Sequence, residues 1–114
     1  MKQVVDMIED KDHFAVKYLR KELLPTTFCP GCGAGIVINA FTKALTELNI
    51  QDLDNFTFVS GIGCVAWIPS PYLNADSIHS LHGRAIPVAT GVKLAKPHLN
   101  VVVISGDGDI AGIG

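Results

Sequence analysis

The clearest periodic stretch is IVINAFTKALTELN, residues 36 to 49. Val37, Phe41, Ala44, Leu45 and Leu48 recur there at spacings of three and four, which predicts an amphipathic helix with Asn49 as its stop. A second helix is expected over 84 to 96. Ala85, Val88, Ala89, Val92 and Leu94 offer small apolar groups for close packing, and Pro97 ends the run. Residues 1 to 24 also read as helical. KYLRKELL (17 to 24) sets Tyr18, Leu19 and Leu23 on one side and stops at Pro25, so 1–25 is expected to form a peripheral helical arm.

Two stretches read as strands. FTFVSGIG (56 to 63) is a short strand running into glycines. NVVVISGDGD (100 to 109) carries an unbroken, largely β-branched apolar run that suits a strand buried on both faces of a parallel sheet, near its middle. Between these elements, TTFCPGCGAG (26 to 35) reads as a loop, and AWIPSPYLNADSIHSLHGR (66 to 84) as a connection broken by two prolines. The order helix, strand, helix, strand predicts an α/β fold with a parallel sheet, in one domain over 26–114.

Composition adds an expectation of partners. Of the 114 residues, 48% are hydrophobic and 18% charged, which is apolar for a free-standing small domain. A net charge of −2 gives no electrostatic case for nucleic acid or a membrane surface. No apolar run approaches the ~18 residues that span a bilayer. The start, MKQVVDMIEDKDHF, is too polar for a signal peptide, so a cytoplasmic setting is expected. Cys29, Cys32 and Cys64 make an odd count that argues against a disulfide framework.

Two groups of residues carry candidate chemistry. Gly106 and Gly108 follow a predicted strand at the end where α/β sheets bind ligands, and glycine there lets the backbone approach a phosphate. Asp107 between them can ligate a hard cation such as Mg²⁺, and the next helix would offer its first amides. An ordinary tight turn explains a bare GDG equally well. The dinucleotide pattern GxGxxG is absent. CPGC (29 to 32) and the cysteine of SGIGC (60 to 64) place three thiols on glycine-rich loops, which suits an iron–sulfur cluster or another soft-metal site. Zinc, a redox pair and three unrelated cysteines fit the same spacing. A fourth ligand would have to come from His79, His82, another segment or another chain.

FCPGCGAG (28 to 35), VSGIGC (59 to 64), SLHGRAIPVATGVKLAKP (80 to 97) and VVVISGDGDIAGIG (101 to 114), in that order, resemble the beta subunit of 2-oxoacid:ferredoxin oxidoreductases. The resemblance covers roughly 17 to 114. It implies a thiamine diphosphate-binding fold, Mg²⁺ and a [4Fe-4S] cluster. The implied activity is oxidative decarboxylation of a 2-oxoacid with coenzyme A, yielding acyl-CoA, CO₂ and reduced ferredoxin.

The resemblance also implies roles. Cys29, Cys32 and Cys64 match three of four cluster ligands, and Asp107 matches the Mg²⁺ ligand. Gly61, Ile62, Gly63, Cys64, His82, Gly106, Gly108 and Asp109 fall on cofactor-binding positions. His82 and Arg84 lie in the HGR segment beside the active site. Each also has a structural reading, His82 bonded to loop backbone and Arg84 capping a helix. His79 and His98 read as ordinary loop residues and His13 as solvated. Trp67 stands where many family members carry a basic residue. CVAWIPSP (64 to 71) resembles one subset, which favours 2-oxoglutarate over pyruvate; a packing role for Trp67 fits as well.

The family's cofactor motif runs on past GDG, so the expectation is a truncated or split beta subunit, inactive by itself. Its implied partners are an alpha subunit, with gamma and delta subunits in some assemblies, and ferredoxin. A non-oxidative thiamine diphosphate decarboxylase and a non-catalytic metal-binding fragment are the alternatives.

Overall fold

A computed structural model describes residues 13–114. The elements in chain order are α1 (Gly33–Glu47), β1 (Phe56–Ser60), β2 (Asp76–His79), α2 (Ala85–Ala95) and β3 (Asn100–Val103). The three strands form one parallel sheet in the order β2–β1–β3. The α/β expectation therefore holds. The expected helices over 36–49 and 84–96 and both expected strands are present, together with a third strand.

α1 begins earlier than the sequence suggests. Gly31 takes a positive φ of 77°, which closes the CPGC turn, and the Cys32 amide donates to the Cys29 carbonyl at 3.0 Å. Cys32 then caps the helix, its Sγ accepting from the Ala34 amide at 3.4 Å. The predicted loop thus ends at Cys32, and Gly33 to Gly35 form the first helical turn. At the other end Asn49 adopts φ 58°. The Asn49 amide donates to Thr46 and the Ile50 amide to Leu45, each at 3.0 Å. This is a Schellman closure, with asparagine tolerating the left-handed conformation.

The buried stripe of α1 is Ala34, Ile38, Thr42 and Leu45. The expected stripe through Val37, Ala44 and Leu48 is rotated off the core, and Val37 and Leu48 are exposed. The displaced residues are not wasted on solvent alone. Ala44 and Leu48, beside the core-packed Phe41, line an apolar groove with Ile86 and Leu94 of α2, at the outer edge of β3.

β1 is central and buried at every position. Phe56 and Phe58 face α1 in a core that also holds Tyr18, Ile68, Tyr72 and Leu73. Val59 faces the opposite side against Ala85 and Ala89 of α2. β3 is an edge strand of this chain, with Asn100 exposed and Val101 to Val103 half-buried. Within this chain β1 holds the middle of the sheet, and β3 is covered unevenly.

The expected arm is also corrected. Residues 1–12 lie outside the described residues. From 13 to 25 there is no helix longer than one turn, only Val16–Tyr18 and Lys21–Leu23. The segment is not peripheral. Tyr18 is fully buried and donates to the Ile50 carbonyl, while Leu19 bridges Leu73 in antiparallel sense. The Arg20 and Asn74 amides bond to Tyr72 and Tyr18 carbonyls, both at 2.8 Å. These non-local partners satisfy the backbone that a helix would have satisfied locally.

The proline-broken connection, 66 to 84, contains the turn Ile68–Tyr72 and the unpredicted strand β2. Tyr72 ties this region to the cysteine loop, its hydroxyl meeting the Thr27 amide at 2.7 Å and Thr27 Oγ1 at 2.9 Å. Tyr72→Phe removes both bonds while keeping the buried ring, so a loss of about 1 kcal/mol in a denaturant titration is expected. Among the described residues no helix is long and apolar enough to cross a membrane.

Candidate functional site

Three loops meet at the carboxyl ends of the strands: 61–63 after β1, 80–84 after β2, and 104–112 after β3. Parallel pairing brings them there, because each strand must leave the sheet at the same end. What fastens them together is Asp109. Its Oδ1 accepts from the Ile62 amide at 3.2 Å, from the Gly83 amide at 3.0 Å and from His82 Nδ1. Its Oδ2 accepts from the Ser105 hydroxyl at 2.8 Å. One carboxylate therefore takes a donor from each of the three loops, and the side chain is 2% exposed.

Burial pushes the Asp109 carboxyl up, but the bonds from Ser105, Gly83, Ile62 and His82 outweigh it and bring the pKa down to about 2. The group is an anion at any physiological pH. Its carboxylate is bonded inside the protein and holds the three loops together. His82 is likewise bonded to a carboxylate, not to loop backbone.

Two glycines are dictated by this junction. A Cβ on Gly61 would overlap the Asp109 carboxylate, and Gly83, at φ 80°, has the Ile113 carbonyl where its Cβ would stand. Gly61→Ala is expected to cost about 1–3 kcal/mol, because the pinned carboxylate must leave its donors to make room. A thermal melt of the variant beside Gly61→Ser checks it: both should lose stability, the serine at least as much.

The other predicted residues take the following places. Gly106 and Gly108 bracket Asp107 just beyond β3, and Gly108–Gly112 forms one wide turn where a helix start was expected. Asp107 is exposed, and its side chain makes no capping bond to that turn. The His82 ring lies over Gly108, where a Cβ would stand 3.5 Å from Cε1 and 3.7 Å from Nε2. With Nδ1 held by Asp109, the Nε2 edge is the one presented near the glycine turn. Ile62 is exposed in the same mouth, and Gly63 takes φ 141°, a conformation few other residues adopt. Arg84 is exposed; its side chain makes no capping bond to α2 and donates from Nη1 to the Gly114 carbonyl at 3.0 Å. His13 and His98 are exposed.

All three cysteines are free thiols. Cys29 and Cys64 are exposed and Cys32 half-buried. The fold places Cys29 and Cys32 in the cap of α1, and Cys64 at the start of the turn Cys64–Trp67. Among the described residues no three His, Cys, Asp or Glu side chains are gathered as a metal ion would need.

Residues 61–114 match the family of thiamine pyrophosphate enzymes, C-terminal TPP binding domain. The 2-oxoglutarate synthase subunit KorB of Methanocaldococcus jannaschii is 55% identical over 102 residues, which is 90% of this chain and 37% of that protein. KorB of Methanothermobacter thermautotrophicus is 52% identical over 94% of this chain and 37% of its own length. The beta subunit of 2-oxoacid:ferredoxin oxidoreductase 2 from Aeropyrum pernix is 54% identical over 76% of this chain and 28% of its own length. Among solved structures, the 2-oxoglutarate:ferredoxin oxidoreductase of Magnetococcus marinus, with 2-oxoglutarate, coenzyme A and succinyl-CoA bound, superposes with a TM-score of 0.76 at 40% identity. That match covers 90% of this chain and 34% of the other. The chain spans 37% of the length of the KorB relatives. The loop-end site, the parallel sheet and these matches agree: over most of its sequence the chain is similar to the beta subunits of 2-oxoglutarate synthases and 2-oxoacid:ferredoxin oxidoreductases.

Proposed function

We propose that this chain forms the thiamine diphosphate-binding part of a complex that oxidatively decarboxylates 2-oxoglutarate. The observation that carries the reading is the match above 50% identity to subunits named 2-oxoglutarate synthase, over nine-tenths of the chain. The balanced reaction takes 2-oxoglutarate and coenzyme A to succinyl-CoA, CO₂ and a proton, with two electrons passing singly to ferredoxin.

The residues present fit the cofactor. Gly106 and Gly108 leave the backbone bare where a diphosphate must approach, and the exposed Asp107 carboxylate between them is a hard oxygen donor for Mg²⁺. Ile62 and Gly63 supply an apolar and a bare-backbone surface across the mouth. Asp109 holds the three loops in one arrangement, so the site is formed before the ligand arrives. His82, oriented through Nδ1, offers Nε2 to an anionic oxygen of cofactor or substrate. When bound, thiamine diphosphate supplies the carbon nucleophile and electron sink that loss of CO₂ from a 2-oxoacid requires.

For the iron–sulfur cluster the donor chemistry fits, since all three thiols are free and a [4Fe-4S] cluster takes one cysteine per iron. A further segment or subunit would add the fourth ligand. The partners in this reading are an alpha subunit, with or without gamma and delta subunits, and ferredoxin, in the cytoplasm.

The test is the metal content of the complex purified without oxygen. About four iron and four acid-labile sulfide per copy of this chain support it. Zinc, or no metal, leaves a non-oxidative thiamine diphosphate decarboxylase instead.

A further inference from the structure

The turn that leads into α1 carries a second chemistry. Cys29, Pro30, Gly31 and Cys32 form a type II turn. Pro30 stands second, Gly31 stands third with φ 77°, and the Cys32 amide donates to the Cys29 carbonyl at 3.0 Å. A turn closed in this way holds its first and last Cα atoms less than about 7 Å apart. Disulfides join cysteines whose Cα atoms lie about 4.4 to 6.8 Å apart. The backbone alone therefore brings this pair into bridging range.

The two sulfurs differ in setting. Cys29 is exposed, as are Pro30 and Gly31, and a Cβ on Gly31 would meet no atom within 4 Å. The turn thus stands open to solvent. Cys32 is half-buried, and its Sγ accepts from the Ala34 amide at 3.4 Å as the cap of α1. An open thiol three residues ahead of a sheltered one suits a pair in which the first meets a reagent from solvent and the second completes the bond.

We propose that Cys29 and Cys32, when they hold no metal, are a site of reversible oxidation by small-molecule disulfides. The Cys29 thiolate attacks one sulfur of the reagent, forms a mixed disulfide and releases one thiol. The Cys32 thiolate then attacks the Cys29 sulfur, releases the second thiol and closes the 29–32 disulfide. Two protein thiols are oxidised, one external disulfide is reduced to two thiols, and the two protons leave on those thiols. The closed pair has no thiolate to offer a metal, so oxidation and metal binding exclude each other. The inference goes beyond the oxidoreductase reading and does not depend on it, since it needs only the turn.

The test uses the full chain in its complex, stripped of metal with a chelator under reductant. It is then equilibrated without oxygen in mixtures of glutathione and glutathione disulfide. Free thiols are blocked with N-ethylmaleimide, and the chain is cut with trypsin. Cleavage after Lys21, Lys43 and Arg84 leaves Cys29 and Cys32 in one peptide, 22–43, and Cys64 in another, 44–84. As the disulfide fraction rises, peptide 22–43 should become unblocked and two hydrogens lighter, with no link to 44–84. In Cys32→Ser, where serine keeps a helix cap, the same peptide should carry one glutathione on Cys29. Gly31→Ala meets no clash, but its Cβ strains the positive φ, so the equilibrium constant for closure should fall about tenfold. A peptide 22–43 that stays fully blocked at every ratio, carries two glutathiones, or is cross-linked to 44–84 overturns the proposal. An unchanged closure constant in Gly31→Ala overturns it too. None of these readouts involves a 2-oxoacid or ferredoxin, so the proposed activity stands or falls separately.

Discussion

Asp109→Ala should remove thiamine diphosphate binding and lower the melting temperature of the complex together. The substitution strands the Ile62 and Gly83 amides, the Ser105 hydroxyl and His82 Nδ1 at once, each of which gives its hydrogen to that carboxylate. Loops 61–63, 80–84 and 104–112 then lose their common anchor, and the ligand site is no longer formed in advance. Loss of an oriented supporting group typically weakens a site about tenfold to a hundredfold. Asp109 supports three loops, so the upper end is expected for cofactor retention measured after gel filtration. Asp109→Asn keeps the shape and one good acceptor, and should fall between wild type and alanine.

Acid gives the same result by titration. The Asp109 carboxyl ionises near 2 in the folded chain against an ordinary 3.8. A depressed folded pKa means that the anion's contribution is fully present above the unfolded value and is lost as pH falls through the folded one. Stability should therefore decline between about 4 and 2, and Asp109→Asn should flatten that part of the acid-unfolding curve. A variant with the wild-type slope there would show that the bonds to Asp109 contribute nothing to folding.

Asp107→Ala should do the opposite of Asp109→Ala: leave the fold alone and abolish cation-dependent binding. The side chain is exposed and makes no capping bond, so little in the folded chain depends on it. In the proposed reading Asp107, between Gly106 and Gly108, would be a hard oxygen donor to Mg²⁺, and the substitution would remove it. The expected effect exceeds the roughly hundredfold ceiling of a supporting residue, read as the Mg²⁺ concentration needed for half-maximal thiamine diphosphate retention. The melting temperature without cofactor should match wild type. Unchanged Mg²⁺ dependence would remove Asp107 from the site.

The sequence made the scaffold legible where local pattern and tertiary role agree. The 36–49 periodicity and the Asn49 stop mark α1, and the β-branched run marks β3. Local pattern failed where distant partners decide. KYLRKELL has helical spacing, but Tyr18 is taken by the core and by the Ile50 carbonyl, so the segment extends. The buried face of α1 turned because its apolar residues cover more than one side, and only the packing of Phe56 and Phe58 selects among them. β2 has four residues, mostly exposed, and carries no hydrophobic signature.

The site divides in the same way. Gly61, Gly63, Gly106 and Asp107 were legible as loop chemistry at strand ends. The junction at Asp109 was not, because its donors come from three separate stretches and two of them are backbone amides. A signal was present nonetheless: Asp109 lies two residues past Asp107, in the same glycine turn. The Ser60–His79 contact was not legible either, since the two become neighbours only through the β1–β2 register.

The central claim is tested most directly by a reduction assay on the complex that contains this chain, purified without oxygen. Ferredoxin reduction that requires 2-oxoglutarate, coenzyme A and thiamine diphosphate together, with succinyl-CoA formed at one per two ferredoxins, is the predicted result. Release of CO₂ and an aldehyde with no dependence on coenzyme A and no reduced ferredoxin would contradict it.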